Sequence, residues 1–151
     1  MDFYIFLTGL HNLVRWLVVI AGVLAFVVML TGLFGNRRFG PGDRRAGLIY
    51  TAVIDVQLLV GLLLLFISPI TSGAMQNMGV AMSDPVMRFF LVEHTAMMVL
   101  AVVAAHIGYS LSKKETVADR GRFTRGAIFY GLSLVLIAMA IPWDRSLLPW
   151  G

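Results

Sequence analysis

Four long apolar segments constrain the fold of this chain more than any other feature of its sequence. They cover residues 16–34, 48–67, 89–111 and 127–143. A helix needs about 20 mainly apolar residues, with about 17 as the lower limit, to cross the hydrocarbon core of a bilayer. Backbone polar groups in lipid must be satisfied within a helix or a closed barrel, and these segments lack the strict alternation of barrel strands. The sequence therefore predicts an all-α membrane protein, an up-down bundle of four transmembrane helices.

The composition supports the same class. Hydrophobic residues make up 59% of the chain and charged residues only 13%, whereas a soluble domain has about 25% charged residues. The chain contains no cysteine. This absence excludes disulfides, iron–sulfur clusters and zinc sites built from thiolates.

The positive charges are concentrated in two of the three predicted loops. The first loop carries four arginines, and the third carries five basic residues (Arg37, Arg38, Arg44 and Arg45; Lys113, Lys114, Arg120, Arg122 and Arg125). The middle loop, residues 68–84, has neither Lys nor Arg. Because basic loops stay in the cytoplasm, we expect both termini on the periplasmic side of a bacterial inner (cytoplasmic) membrane. The loops also account for the net charge of +4 without a role in nucleic-acid binding.

Capping residues predict where the helices begin and end. We expect one domain, residues 1–151, with helices at about 3–34, 44–67, 85–112 and 124–142. Asp43 is placed to cap the second helix, and Asp84 followed by Pro85 is typical of a helix start. Pro69 and Pro142 are expected to stop the second and fourth helices.

The outer face is predicted to carry aromatic residues and an uncharged loop. Tyr4, Trp143 and Trp150 lie where an interfacial aromatic belt would form. The loop at 68–84 is long for a connector. It is interpreted either as a mobile connector or as a segment lying across the outer mouth of the bundle.

Five polar residues inside the predicted helices suggest a buried network: Arg15, Asp55, Gln57, Glu93 and His106. Ionisable groups in a membrane are costly and usually pair with one another. Arg15 is therefore expected to pair with Asp55 or Glu93, and His106 to hydrogen-bond Tyr50 or Tyr130. Arg15 is interpreted either as half of a structural ion pair or as a clamp for a haem propionate or a quinone oxygen.

His11 and His94 are the candidate haem ligands. With a helical rise of about 1.5 Å per residue, they lie roughly 12 Å and 15 Å from the outer ends of their helices. Counted from the cytoplasmic ends, His11 lies about 8 Å higher than His94, and the sequence leaves the choice between the two counts open. Two imidazoles at similar depth on different helices can hold haem b, although intramembrane histidines also join helices by hydrogen bonds. A site that adds Glu93 to both histidines is disfavoured, because adjacent helical residues point about 100° apart. Small residues that could admit a macrocycle are Gly9, Gly22, Gly61, Ala96 and Ala101.

Short motifs along nearly the whole chain carry a family resemblance. They are Leu10-His11 with Arg15-Trp16, Asp43-Arg44-Arg45 with Gly47-Leu48, Asp55-Val56-Gln57, Arg88-Phe89-Phe90 with Val92-Glu93-His94 and Met97-Met98, His106-Ile107-Gly108, and Ile141-Pro142-Trp143 with Arg145. In these the chain resembles small bacterial four-span membrane proteins loosely labelled cytochrome-b-like. The resemblance implies a haem-binding or respiratory-chain-associated protein with His11 and His94 as ligands of the haem iron. The Leu10-His11 pair is also similar to four-span haem-binding protoporphyrinogen oxidases, whose further basic pattern this chain lacks.

Two classes of function follow. The first is a b-type haem-binding electron-transfer subunit of a respiratory or photosynthetic membrane complex, in which a quinone is the alternative ligand to haem b. The second is a non-catalytic accessory subunit whose buried charges only specify helix packing. Both classes predict contact with the lipid bilayer and with other membrane subunits. No catalytic residues are identified, and a stand-alone enzyme is the less favoured interpretation.

Overall fold

The described part of the chain is all-helical. A computed structural model describes residues 2–144, and two residues of the sequence argument, Arg145 and Trp150, lie outside that range. The helices are α1 (Phe3–Phe34), α2 (Pro41–Ile67), α3 (Pro69–Gln76), α4 (Met78–Ser83), α5 (Pro85–Ser112) and α6 (Asp119–Ala140).

Four of these helices, α1, α2, α5 and α6, are long and apolar enough to cross a membrane. The predicted multi-pass helical membrane protein is therefore confirmed at this level. Large apolar side chains point outward from the bundle, with Leu24 59% and Phe66 67% exposed. Such exposure is expected of side chains that face lipid, because acyl chains are as apolar as leucine.

The four long helices pack side by side in a closed set of neighbours. Helix α1 contacts α2 and α6, and α5 contacts α6 and α2. Their shared core is centred on the fully buried side chains of Tyr50, Tyr130, Phe123 and Met29. The Tyr50 and Tyr130 rings meet edge to face with centroids 5.5 Å apart, a favourable geometry for aromatic pairs.

Glycines allow the helices to approach one another closely. A Cβ atom at Gly32 would overlap the ring of Phe123, and one at Gly47 would overlap the hydroxyl of Tyr130. Small residues at such positions let helix backbones come together, which is how membrane helices gain packing energy without a hydrophobic driving force.

One hydrogen-bond relay joins three long helices. The Ser133 hydroxyl on α6 donates to the carbonyl oxygen of Ala101 on α5, at 2.7 Å. A serine hydroxyl has a single proton, so the Tyr50 hydroxyl on α2 must be the donor in its 2.6 Å contact with Ser133 Oγ. The relay is completely buried.

Two of the four long helices begin where predicted, α1 at Phe3 and α5 at Pro85, and the other two begin earlier. Asp84 caps α5 as predicted, because its carboxylate accepts from the backbone N–H groups of Val86 and Met87 at 2.9 Å and 2.8 Å. Helix α2 begins at Pro41 instead of residue 44. Asp43 therefore lies inside the first turn and bonds back to the N–H of Gly40 at 2.8 Å. Helix α6 begins at Asp119 instead of residue 124 and ends at Ala140.

The basic loops are held against the ends of the helices. Arg37 donates to the buried Asp43 carboxylate, and this hydrogen bond raises the pKa of Arg37. Arg122 donates to the carbonyl oxygen of Ser112 at 2.8 Å, and its guanidinium lies 4.0 Å from the ring centroid of Phe39. These contacts combine cation–π and hydrogen-bond stabilisation.

The segment between α2 and α5 is structured as the two short helices α3 and α4. Ser68, Ile70 and Thr71, at the start of this segment, line the main cavity of the bundle. Of the two sequence interpretations, these contacts favour a segment that lies over the end of the bundle.

Candidate functional site

A cavity of about 320 Å³ lies at the end of the bundle covered by α3. Small-molecule sites typically have about 300–1,000 Å³. Its polar lining comes largely from one face of α1, through Thr8, His11, Asn12 and Arg15, while residues such as Met98 and Ile137 supply apolar walls. The combination of apolar walls with a few convergent polar groups is typical of a ligand site.

The structure brings His11 and His94 together in this cavity. The centroids of their imidazole rings are 6.2 Å apart, and the ring planes make an angle of 62°. His11 lies on α1 and His94 on α5, and each of these helices packs mainly on α2 and α6. The two histidines therefore meet across the bundle.

A π-helical turn immediately precedes His94. Residues Phe89–Glu93 form this turn within α5, and the Thr95 hydroxyl bonds back five residues to the carbonyl oxygen of Phe90 at 3.0 Å. The rings of Phe89 and Phe90 lie 5.9 Å and 6.1 Å from that of His94. An inserted π-turn changes which side chains face the bundle, and such turns are frequent at functional sites.

The hydrogen bond of His94 determines its tautomer. Nδ1 lies 2.8 Å from the carbonyl oxygen of Ala140, and a carbonyl can only accept, so Nδ1 carries the proton. In a neutral imidazole the other nitrogen, Nε2, then has the free lone pair. Metal-binding histidines usually donate their second N–H to a carbonyl or carboxylate in this way.

Gln57 holds the other imidazole. Its amide nitrogen lies 3.1 Å from the carbonyl oxygen of His11 and 3.2 Å from Nε2 of the same residue. The amide nitrogen is a donor only, so Nε2 of His11 accepts and Nδ1 carries the proton. Among residues 2–144, the buried Nδ1 of His11 and the buried Oε1 of Gln57 have no hydrogen-bond partner.

Arg15 supplies positive charge to the cavity. Its side chain is 7% exposed and donates to the side-chain oxygen of Asn12 at 3.2 Å, and its guanidinium lies 5.5 Å from the ring centroid of Trp16. Arg15 and His11 are four residues apart and share one face of α1, as expected.

The expected ion pairs of Arg15 are not the ones observed. Asp55 accepts a 2.8 Å contact from Nε2 of His106, and Glu93 pairs with Arg88 at 2.8 Å. His106 thus pairs with a carboxylate and not with the tyrosines expected from the sequence. Asp55, His106 and Glu93 have 45%, 46% and 44% of their side-chain area exposed, whereas Arg15 and Gln57 are buried.

A metal site that combines Glu93 with both histidines is not formed. Within residues 2–144, no group of three or more His, Cys, Asp or Glu side chains could hold a metal ion. The two-histidine arrangement is the one that the structure assembles.

Of the small residues considered for a macrocycle, Gly61 lies at the histidines. A Cβ atom at Gly61 would sit 3.4 Å from Cε1 of His11, within van der Waals contact of the imidazole. Gly22 and Ala101 lie away from the histidines. Gly22 packs against the ring of Tyr50, and the carbonyl oxygen of Ala101 accepts the hydrogen bond from Ser133.

Two residues of the site were not predicted from the sequence. Ala140 contributes its backbone carbonyl, and Asn12 contributes its side-chain amide. Ala140 has no side-chain signal at all. Asn12 next to His11 was a detectable signal, because a polar amide in an apolar helix requires a partner.

A second, smaller cavity of about 50 Å³ shares His11, Gln57 and His94 with the first. It continues between α2 and α5, where it is lined by Leu58, Leu62, Val99 and Val102. The site therefore extends sideways toward the apolar surface of the bundle, along the α2–α5 seam.

Comparison of the chain with protein-family models, with curated proteins and with solved structures finds no match.

Proposed function

We propose that this chain is a b-type haem-binding electron-transfer subunit of a respiratory or photosynthetic complex in the bacterial inner membrane. His11 and His94 would hold the haem iron. The observation that carries the proposal is the placement of these imidazoles across the bundle, 6.2 Å apart by ring centroid.

The spacing of the rings supports a bis-histidine site. The two imidazoles line the same cavity from different helices, with their ring centroids 6.2 Å apart. His11 and His94 could therefore hold one haem iron between α1 and α5.

His94 is prepared for this role by its hydrogen bond. The carbonyl of Ala140 holds the Nδ1 proton and leaves the Nε2 lone pair available. The π-turn at Phe89–Glu93 precedes this residue and sets the direction in which the imidazole leaves the helix.

His11 needs one rearrangement to act in the same way. The Gln57 amide now occupies its Nε2, while the Nδ1–H donor of His11 and the Oε1 acceptor of Gln57 are both buried without partners. A rearrangement that brings Nδ1–H to Oε1 would satisfy both atoms and free Nε2. Since buried unsatisfied polar groups cost about 1–3 kcal/mol each, this change is favoured once a ligand takes Nε2.

Arg15 and the apolar walls complete the environment. Haem b, when bound, supplies reversible one-electron transfer at iron. The buried guanidinium of Arg15 would offset the negative charge of propionate groups, because charge-assisted hydrogen bonds between arginine and carboxylates are strong. The apolar walls from Met98 and Ile137 exclude water, and a low-dielectric environment of this kind shifts the reduction potential.

We further infer an up-down bundle with both termini on the periplasmic side. Contacts between α1 and α2 run in opposite order along the two helices, since His11 lies at Gly61 whereas Gly22 lies at Tyr50. The two arginine- and lysine-bearing loops would be cytoplasmic by the positive-inside rule. The histidine cavity then lies toward the periplasmic side.

The test is haem binding by purified protein, with His106→Ala as a matched control. The wild type, His11→Ala, His94→Ala and His106→Ala proteins are expressed with 5-aminolevulinate, purified in detergent, and titrated with hemin. We expect a low-spin bis-imidazole spectrum by visible absorption and electron paramagnetic resonance in the wild type and in His106→Ala, and its loss in the other two variants.

Two outcomes would overturn the proposal. A wild-type protein that is colourless after purification and binds no hemin would favour the accessory subunit. A low-spin haem that survives in His11→Ala and His94→Ala would place the iron elsewhere.

A further inference from the structure

A second pair of ionisable side chains lies outside the histidine cavity. Asp55 on α2 and His106 on α5 are joined at 2.8 Å, and each keeps nearly half of its side-chain area exposed. Both belong to long apolar helices, and their neighbours Val56 and Ile107 are exposed apolar residues. The pair therefore faces outward from a surface that is otherwise suited to lipid.

Such a pair is incompletely satisfied in a bilayer. Ionisable residues within membrane helices almost always face the interior of a bundle or a water-filled cavity. In the ion-paired form, the imidazolium of His106 keeps Nδ1–H as a further donor, and the carboxylate of Asp55 keeps Oδ2 as an unused acceptor oxygen. An acyl chain can satisfy neither of them.

Symmetry makes this surface complementary to itself. A two-fold axis along the bilayer normal can relate two copies that lie in one membrane in the same orientation, and such an interface would present the same patch from both sides. Rotation about that axis places α2 of one copy opposite α5 of the other at equal depth. Asp55 would then face His106 of the second copy, and acceptor would meet donor twice.

The packing of the bundle leaves room along this face. Helices α2 and α5 contact each other less extensively than the other three neighbouring pairs, and the small cavity between them opens one turn from the ion pair, at Leu58 and Val102. Apolar side chains such as Leu59 and Val103, 63% and 47% exposed, flank it.

We propose that a second copy of this chain docks on the α2–α5 seam, joined by reciprocal hydrogen bonds between Asp55 and His106. The dimer would also cover the lateral opening of the histidine cavity. This assembly does not depend on haem binding.

The decisive experiment mixes two complementary variants. Asp55→Leu and His106→Leu chains, each labelled with a different fluorophore, are reconstituted in phosphatidylcholine vesicles at a series of lipid-to-protein ratios, and dimerisation is measured by energy transfer. Each variant alone loses both reciprocal bonds. We expect its dimer to weaken about tenfold or more, since interhelical hydrogen bonds in membranes contribute about 0.6–2 kcal/mol each.

The mixture should recover part of this loss. His106 of the Asp55→Leu chain can still bond Asp55 of the His106→Leu chain, so the mixed dimer should form several-fold more strongly than either variant with itself. Circular dichroism checks that each leucine variant keeps the helix content of the wild type. If one does not, the comparison is repeated with the more conservative variants Asp55→Asn and His106→Gln.

Cysteine cross-linking locates the interface, because the chain has no native cysteine. Leu59→Cys chains mixed with Val103→Cys chains should form a disulfide on mild oxidation. The control mixes Leu24→Cys with Val135→Cys chains, whose cysteines lie on the outward surfaces of α1 and α6. This pair should not form a disulfide.

The proposal is overturned if the wild type is monomeric in vesicles at every ratio. It is also overturned if the mixed variants associate no better than each variant alone, or if the control cysteines cross-link as efficiently as the seam pair. Loss of a co-purifying protein from the Asp55 variants, with the wild type itself monomeric, would assign this surface to a different subunit.

Discussion

The buried relay between Tyr50, Ser133 and Ala101 leads to a test of how three helices are held together. In Ser133→Ala, the Tyr50 hydroxyl loses its acceptor and the carbonyl of Ala101 loses a donor. Leaving a buried hydroxyl unsatisfied costs about 1–3 kcal/mol. Tyr50→Phe removes only the terminal donor and keeps the bond from Ser133 to Ala101, so about 0.6 kcal/mol is expected, the average for interhelical bonds in membranes.

The double variant separates the relay from simple side-chain loss. Once Ser133 is alanine, the Tyr50 hydroxyl is the unsatisfied group, so its removal should cost nothing or restore stability. The coupling energy between the two sites should therefore be about 1 kcal/mol. Ser110→Ala, at an exposed position near the end of α5, is the matched control and should change stability by no more than about 0.5 kcal/mol.

The free energy of unfolding of the wild type and of the four variants is measured in mixed micelles, by circular dichroism as the fraction of sodium dodecyl sulfate rises. If the losses of unfolding free energy in the two single variants sum to that of the double variant within about 0.3–0.5 kcal/mol, the two residues act independently. In that case the donor assignment and the linkage of α2, α5 and α6 through Ser133 would be refuted.

Two further changes test packing and capping by the same unfolding assay. Gly108→Ala should destabilise the protein by about 1–3 kcal/mol through overpacking, since its new Cβ would lie 2.9 Å from atoms of Phe129 and Tyr130. Gly73→Ala is the control and should not destabilise the protein, because no atom lies within 4 Å of its Cβ position. Equal effects of the two substitutions would contradict the close approach of α5 and α6 at Gly108. Asp84→Ala should cost about 1 kcal/mol by removing the cap of α5, and Asp84→Asn much less; an unchanged Asp84→Ala protein would show that the cap is dispensable.

Much of the architecture could be predicted from the sequence, because membrane helices are dictated by local composition. Length and hydropathy alone identify the four long helices, and the Asp84-Pro85 start follows from the chemistry of one helical turn. The start of α2 was less predictable. Gly40 and Pro41 begin the helix earlier, and Asp43 has a second use as the acceptor for Arg37.

The pairing of polar residues was only partly predictable. His11 and His94 meet as their similar depths suggested, but the partners of Asp55 and Glu93 differ from those expected. Depth along a helix follows from residue number, whereas the direction of a side chain depends on helix rotation and on irregularities such as the π-turn before His94. A turn that contains one extra residue changes the face presented by every residue on one side of it.

The sequence by itself determined four helices long and apolar enough to cross a membrane. Backbone polar groups in hydrocarbon must be satisfied within a helix or a closed barrel, and these segments lack the alternation of barrel strands. Only the tertiary structure decided which polar groups share the interior. It placed His11, His94, Gln57 and Arg15 around one cavity and turned the Asp55–His106 pair outward. The physical reason is that burial in lipid acts on each segment separately, whereas the contacts between polar side chains depend on the rotation of each helix and on close approach at glycines.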